Sequence, residues 1–386
     1  MSLHHNPRIV TDGLVFAYDM NNAAKSFKGK PTTNLFDNPV FATGTRAPWS
    51  YQTTANGDNS IDTSFTYEGF NTAKIVRTST GGEANYWVNS SSVVSGDINP
   101  NTEYTFSAYA YATVANQAAL FSYFGTQSSG FAYHPGGGKW VRLAHTFTSR
   151  STSPYVQLRM WSDTITLNTP VYFTKLQLEE GSFATPWVNG TRSNTQALLD
   201  MSKSKNTVTA SSLTYNSDGT FEFDGTSDYI SVSNSSSLNP SINTLICWAK
   251  SNTSTWNGTG FLMSKRNVFV MHPNGGAKSV SYYYHLNNSW QAQFITSSDI
   301  TVWNMYACSW DGTNINAYLN GELINSGTKT GPLNTSDTGP IEIGRDDGIA
   351  TRVFNGHIPF SLIYNRALTA AEIKQNFNAT RGRFGI

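Results

Sequence analysis

The sequence predicts an all-β protein, and three observations carry that expectation. Short runs with period-2 alternation recur along the chain, separated by Asn-Gly, Asp-Gly and Ser/Thr/Asn-rich turns. Charged residues are only 13% of the 386, while aromatics also reach 13%, the balance of strands with apolar interiors and neutral polar surfaces. One helix signature stands at the end, in FNGHIPFSLIYNRALTAAEIKQNF. There Ile358, Phe360, Leu362 and Tyr364 alternate as a half-buried strand, and Thr369 stands three residues before Glu372. That is capping-box spacing, and it predicts a short helix over Ala370 to Asn378.

Length allows two domains, each with its own core. A formal net charge of +1 leaves no electrostatic footprint for nucleic acid or an anionic membrane. No apolar run approaches the roughly 18 residues of a membrane span. The start, MSLHHNPRIVTDG, lacks the basic-then-apolar layout of a secretory signal. The composition therefore reads as extracellular in a chain without an export signal, a conflict that release by cell lysis would resolve, as would a mature chain with its signal removed. Asn-x-Ser/Thr triplets at Asn89, Asn189 and Asn257 then follow from composition and are not read as glycosylated. Cys247 and Cys308 sit in strand-like runs beside tryptophans and are expected as buried free thiols.

Taken in order, IVTDGLVFAYDM (residues 9 to 20) reads as a strand with Leu14, Phe16 and Tyr18 on one face. A second alternating group follows. Tyr104, Phe106 and Ala108 oppose Tyr109 and Tyr111; Trp140-Val-Arg-Leu-Ala-His-Thr-Phe-Thr alternates; Val156, Leu158 and Met160 oppose Gln157 and Arg159. The group closes with Val171 to Trp187. Beyond it, Thr244-Leu-Ile-Cys-Trp-Ala-Lys is apolar on both faces and is expected at the centre of a sandwich. Asp311-Gly312 and Asn320-Gly321 mark tight hairpins in which both central residues take positive φ.

These motifs resemble two known families. Gly13-Leu14-Val15 with Asp19, Leu198-Leu199-Asp200-Met201-Ser202, Phe223-Asp224-Gly225-Thr226-Ser227-Asp228-Tyr229, the Trp303/Tyr306/Trp310-Asp311-Gly312/Tyr318-Leu319-Asn320-Gly321 spacing and IYNRALTAAEI resemble laminin-G-like, concanavalin A-like sandwiches. Such domains recur in virion proteins of tailed phages and in bacterial surface proteins. In that family the opening strand leads quickly into the LxDxS segment, but here some 180 residues intervene. The expected organisation is a sandwich split over residues 8–30 and 193–386, with a second domain inserted at 31–190, the alternative being a free N-terminal arm followed by two domains in series. The inserted segment resembles jelly-roll carbohydrate-binding modules, whose last strand reads V-x-x-D-x-x-x-L-E-x-G; Thr174 stands at the acidic position.

Candidate chemistry is sparse. Glu179 and Glu180 are adjacent and face opposite sides, Asp224 belongs to a turn, and Glu342 between Ile341 and Ile343 is expected to face solvent, so no acid pair meets a glycosidase's needs. Seven histidines lack metal spacing, and His145 falls on the apolar phase of its strand. The laminin-G-like resemblance implies a calcium at a loop rim; Asp346, Asp347 and Asp228, with Asn320 as a helper, are the oxygens available, the alternative being a solvated turn. Aromatics are the remaining lead, since sugars stack on rings. Trp49, Tyr86, Trp87, Tyr109, Tyr111 and Trp161, and later Tyr282, Tyr284 and Trp290, are the glycan-binding candidates, the alternative being core or interface packing.

The resemblance implies a non-enzymatic structural protein on the surface of a phage virion, as a head-decoration, neck or tail-fibre component. Its implied partners are other virion proteins, further copies of itself in a homotrimer, and host-surface polysaccharide. If the sandwich is split in this way, the tail from Thr380 to Ile386 is expected to emerge beside its closure, free to dock on a neighbour. The second reading is a bacterial surface or secreted protein that binds or cleaves glycans.

Overall fold

Leu245, Cys247 and Ala249 point to one side of the Asn243–Ser251 strand, Ile246 and Trp248 to the other, and all are buried. A strand apolar on both sides needs cover on both sides. In the computed structural model the first set joins a core between two sheets, and the second packs under the C-terminal helix. The structure describes residues 8–386 except 46, 48, 53–56, 80–85, 90–97, 125–126, 150–154, 161–165, 219, 257–259, 274–277, 298 and 347–348. The chain divides into two compact units, residues 1–30 with 193–386, and residues 31–192.

The first unit is a two-sheet antiparallel sandwich. One sheet runs Thr214–Tyr215, Phe221–Asp224, Asn355–Tyr364, Asn243–Ser251, Asn304–Trp310, Asn314–Leu319, Glu322–Thr328, and Leu14–Asp19 also pairs with Asn355–Tyr364. The other runs Val208–Ser211, Tyr229–Val232, Ile341–Ile343, Met263–Lys265, Phe269–Pro273, Ser279–Leu286, Ser289–Thr296. Phe16, Tyr18, Tyr282, Tyr284, Tyr306 and Trp310 meet between them.

Leu14–Asp19 is fastened by the segment that follows the second unit in sequence. Asp200 accepts the Ala17 amide at 3.0 Å, and Ser202 Oγ and Asn206 Nδ2 both donate to the Val15 carbonyl. The Asp-x-Ser motif is thus a clamp on the first strand's backbone, which answers the buried polar groups an inserted strand brings with it.

The C-terminal strand departs from simple alternation. Phe360, Leu362 and Tyr364 lie under the helix, but Ile358 and Ile363 lie in the inter-sheet core. A bulge opposite Trp248 to Lys250 shifts the register and reverses the parity of Ile358. The strand is buried on both faces rather than half-buried, because the helix adds a third layer. A bulge at Leu14 to Phe16 likewise takes Leu14 off the face of Phe16 and Tyr18.

The helix spans Ala370–Thr380, with Thr369 Oγ1 accepting the Glu372 amide and Glu372 accepting the Thr369 amide at 2.9 Å. Arg366, hydrogen-bonded to Glu372, holds that carboxyl at about 2. The tail is not free: it continues as a 3-10 turn, Arg381–Phe384, whose Phe384 stacks on Trp248 at 4.2 Å while Arg383 pairs with Asp19. At the hairpins, Asn320 and Gly321 have φ of 52° and 82°. At Asp311-Gly312 only the glycine is positive, and the Asp311 carboxylate instead accepts the Thr313 and Asn314 amides. Both cysteines are free and buried.

The second unit has two five-stranded antiparallel sheets. One runs Lys139–Thr148, Glu103–Ala112, Val171–Glu180, Phe70–Arg77, Gly57–Tyr67; the other runs Ser50–Gln52, Tyr86–Asn89, Tyr155–Met160, Ala118–Phe124, Gln127–Tyr133. Phe36, Trp49, Tyr104, Phe106, Leu158, Met160 and Phe173 fill the space between. Thr32–Thr33 pairs with Thr191–Arg192, so the two ends of this unit lie side by side.

Candidate functional site

Alternation along Glu103–Ala112 decides where this unit presents its chemistry. Tyr104, Phe106, Ala108, Ala110 and Ala112 face the core, and Thr105, Ser107, Tyr109 and Tyr111 lie on the opposite face, where Tyr109 and Tyr111 are partly exposed and Thr105 and Ser107 are covered. Pairing with the neighbouring strands sets these outward residues in rows. Trp140, Tyr111 and Tyr172 lie across three strands; Arg142, Tyr109 and Thr174 form the next row; Ala144, Ser107 and Gln177 the next; Thr146, Thr105 and Glu179 the last. One end of the face is aromatic and the other polar.

The Gly57–Tyr67 and Phe70–Arg77 hairpin bends over the aromatic end. Asp62 accepts the Ser64 and Phe65 amides, a local turn that interrupts the strand pairing after Asp62. Phe65 then lies 4.3 Å from Tyr172 and 5.0 Å from Tyr111, and Tyr67 lies 4.8 Å from Tyr109 and 4.9 Å from Trp140, centroid to centroid. Phe65, Tyr67, Tyr109, Tyr111 and Trp140 all remain half-exposed. Burial, with Tyr109 and Glu68 adjacent, pushes the Tyr67 phenol up to about 12, so it stays a neutral donor.

Two cations border this cluster. A bulge between Thr174 and Gln177 puts Lys175 at φ 51° and turns its side chain to the ring side. Its ammonium lies 5.0–5.6 Å from the centroids of Trp187, Phe70, Tyr67 and Tyr109 and pairs with Glu68. Arg142 lies 5.9 Å from the Tyr109 centroid and donates from Nη2 to Ser107 Oγ at 2.9 Å. Thr105, Ser107, Thr174, Gln177 and Glu179 are fully buried, so the partly exposed rings and Arg142 are the groups a saccharide can reach, by stacking and by hydrogen bonding.

Of the glycan-binding candidates read from sequence, Tyr109 and Tyr111 belong to this face. Trp49 is a correction: it is 2% exposed, in the core against Phe36 and Phe41, with its indole N–H donating to the Asp37 carbonyl. Tyr86 and Trp87 lie in the Tyr86–Asn89 strand, but their side chains, like the whole of Trp161, fall outside the described residues. Tyr282 and Tyr284 are also corrections, at 1% and 0% exposed in the inter-sheet core; Tyr284 donates to Asn243. The parity of that tyrosine run is right but the outward member is Tyr283, edge-on to Trp290, which is 39% exposed. Sequence reading missed Phe65, Tyr67, Trp140, Arg142 and Lys175. Trp140 and Arg142 were visible as the phase opposite Val141 and Leu143.

The calcium oxygens do not fit a calcium site. Asp346 is fully buried and already neutralised, with Oδ2 accepting from Arg266 at 2.6 Å and Arg352 at 2.9 Å and Oδ1 accepting from Ser264. Two guanidiniums beside that carboxylate would repel a divalent cation. Asp228 accepts the Thr214 and Asp224 amides through Oδ2, and burial pushes its carboxyl up. Asn320 spends its Oδ1 on the Met305 amide. Asp347 lies outside the described residues. Among the described residues, no three His, Cys, Asp or Glu side chains converge as metal ligands.

The acids are held structurally. Asp224 accepts the Thr226 and Ser227 amides in its turn, and Glu179 is buried in a network with Gln177, Thr185 and Thr32. Glu342 is a further correction. It is 3% exposed and paired with Arg345 at 2.5–2.6 Å, the guanidinium lying 3.3 Å above the Tyr229 ring. Its strand is paired on both sides, with Ser231 and Ser264 beside Glu342, and the cation three residues away makes the burial tolerable.

Residues 224–374 match a laminin G family model described as the concanavalin A-like lectin/glucanases superfamily. Solved structures give partial likenesses. The binding domain of botulinum neurotoxin serotype G is 18% identical with a TM-score of 0.39, over 47% of this chain and 48% of that one. The binding domain of Paraclostridial Mosquitocidal Protein 1 is 15% identical with a TM-score of 0.39, over 47% and 49%. The binding domain of botulinum neurotoxin DC, solved with rat synaptotagmin II, is 16% identical with a TM-score of 0.40, over 48% and 50%. The chain thus spans about half the length of each solved chain. No curated protein matches it in sequence. Residues 224–374 therefore carry a laminin-G-type domain of the concanavalin A-like lectin superfamily, within an all-β chain closed by one short C-terminal helix.

Proposed function

We propose that this is a non-catalytic display protein of a tailed-phage virion, whose second unit holds host-surface saccharide on the outward aromatic face. The observation that carries the saccharide reading is the patch of partly exposed rings, Trp140, Tyr111 and Tyr109 with Phe65 and Tyr67 against them, beside the half-buried Arg142. A contiguous patch of partly exposed rings on one sheet face is the kind of surface that takes a ligand. The virion setting is supported by the laminin-G-like motifs and by the low charge. A surface for further copies or for other virion proteins is offered where Phe294 on one edge strand and Leu323 and Ile324 on the other are about half exposed, Asn325 donating to the Phe294 carbonyl.

On an array of bacterial-surface glycans, the whole chain is expected to bind at least one class. Trp140→Ala and Tyr109→Ala should each weaken that binding about tenfold, or about 1.4 kcal/mol, with thermal unfolding little changed. Wild-type binding that both variants retain would move the site elsewhere. Mass spectrometry of purified particles tests the setting, and absence of the chain from them would refute it. Reproducible release of reducing sugar from a polysaccharide would refute the non-catalytic reading.

A further inference from the structure

Several half-buried cations among the described residues carry a counter-anion, and Arg142 does not. Lys175 pairs with Glu68, Arg345 with Glu342, and Arg366 with Glu372. Arg142 forms no ion pair among the described residues; Nη2 donates to Ser107, Nε is buried without a partner, and Nη1 donates to nothing. The carboxylate nearest in electrostatic effect, Glu179, is already committed. Its Oε1 accepts from Gln177 Nε2 and the Thr185 amide, and its Oε2 accepts from Thr32 and Thr185 hydroxyls. Burial accordingly pushes the guanidinium down from its ordinary value, with Tyr109 and Glu179 only partly opposing it.

A desolvated cation without a partner is costly to a folded domain. The cost is recovered when a ligand supplies the missing anion, and a guanidinium fork matches a planar carboxylate in two-point geometry. Resting on the saccharide reading above, we propose that the outward aromatic face selects carboxylate-bearing saccharides, such as uronate-containing polymers. The sugar ring lies against the partly exposed side of the Tyr67, Tyr109 and Trp140 cluster, and its carboxylate meets the Nη1 side of Arg142. Ser107 holds the guanidinium in plane from the other side.

The test uses the full chain and three polymers: a polyuronate, the same polymer after chemical reduction of its carboxyls to neutral hydroxymethyl groups, and a sulfated polysaccharide of similar charge density. Wild type is expected to bind the polyuronate at least tenfold tighter than the reduced polymer, and tighter than the sulfated one. Arg142→Gln should collapse the acidic-to-neutral ratio to near one, and Arg142→Lys should restore only part of it. Because the charge forms no ion pair among the described residues, Arg142→Gln should also leave the melting temperature unchanged or higher. That separates a ligand-directed role from a structural one.

Equal affinity for acidic and reduced polymers overturns the carboxylate proposal and leaves saccharide binding standing. Stronger binding of the sulfated polymer overturns it in favour of general anion attraction. Marked destabilisation by Arg142→Gln also overturns it, since the side chain would then be structural. Failure of wild type to bind any saccharide removes the underlying reading as well.

Discussion

A chain lacking residues 1–30 is expected to lose the cooperative unfolding transition of its first unit and keep that of its second. Phe16, Ala17 and Tyr18 are fully buried and Phe27 nearly so, and Leu14–Asp19 is hydrogen-bonded along Asn355–Tyr364. Burying each large side chain contributes about 1.5–3 kcal/mol. Three or four of them approach the whole stability of a domain, about 5–15 kcal/mol. Removal also strips partners from Asp200, Ser202, Asn206, Asn376 and Tyr364, which bond to Ala17, Val15 and Val10. Differential scanning calorimetry checks this: two intact transitions in the truncated chain would show that the N-terminal strand is dispensable.

The single substitution with the largest expected effect is Asp200→Ala. That carboxylate is 3% exposed and accepts five hydrogen bonds: from the Ala17 and Ser202 amides on Oδ1, and from Ser202 Oγ, the Asn206 amide and Asn206 Nδ2 on Oδ2. Alanine leaves the Ala17, Ser202 and Asn206 amides buried and unanswered, while Ser202 Oγ and Asn206 Nδ2 keep the Val15 carbonyl, at a cost of about 3–5 kcal/mol. Asparagine should do little better, because its amide group would turn donors toward donors. Urea unfolding of the first unit is the measurement, and a loss below about 1 kcal/mol would mean the strand is held by its apolar contacts alone.

Much of the architecture is legible where local chemistry and tertiary environment agree. Thr369 and Glu372 form their capping box, Asn320-Gly321 makes its hairpin, and the alternation of Tyr104, Phe106 and Ala108 against Tyr109 and Tyr111 separates core from surface. Where they diverge, the cause is non-local. The bulge at Trp248 to Lys250 reverses the parity of Ile358, and no pattern within either strand announces it. Lys175 reaches its rings through another bulge and a left-handed residue. Which side of a strand lies inside is likewise invisible to alternation, so Tyr282 and Tyr284 read as a surface pair although they form core. Glu342 and Asp346 read as solvated because their arginine partners are supplied by folding.

The two thiols give the first unit a chemical clock. Cys247 and Cys308 are fully buried, burial pushes both well above the ordinary thiol range, and the second unit contains no cysteine. Alkylation in native buffer therefore waits for the first sandwich to open, and its rate counts those openings and nothing else in the chain. Each of the variants discussed above can then be assigned to one unit or the other from a single labelling time course, without separating the two.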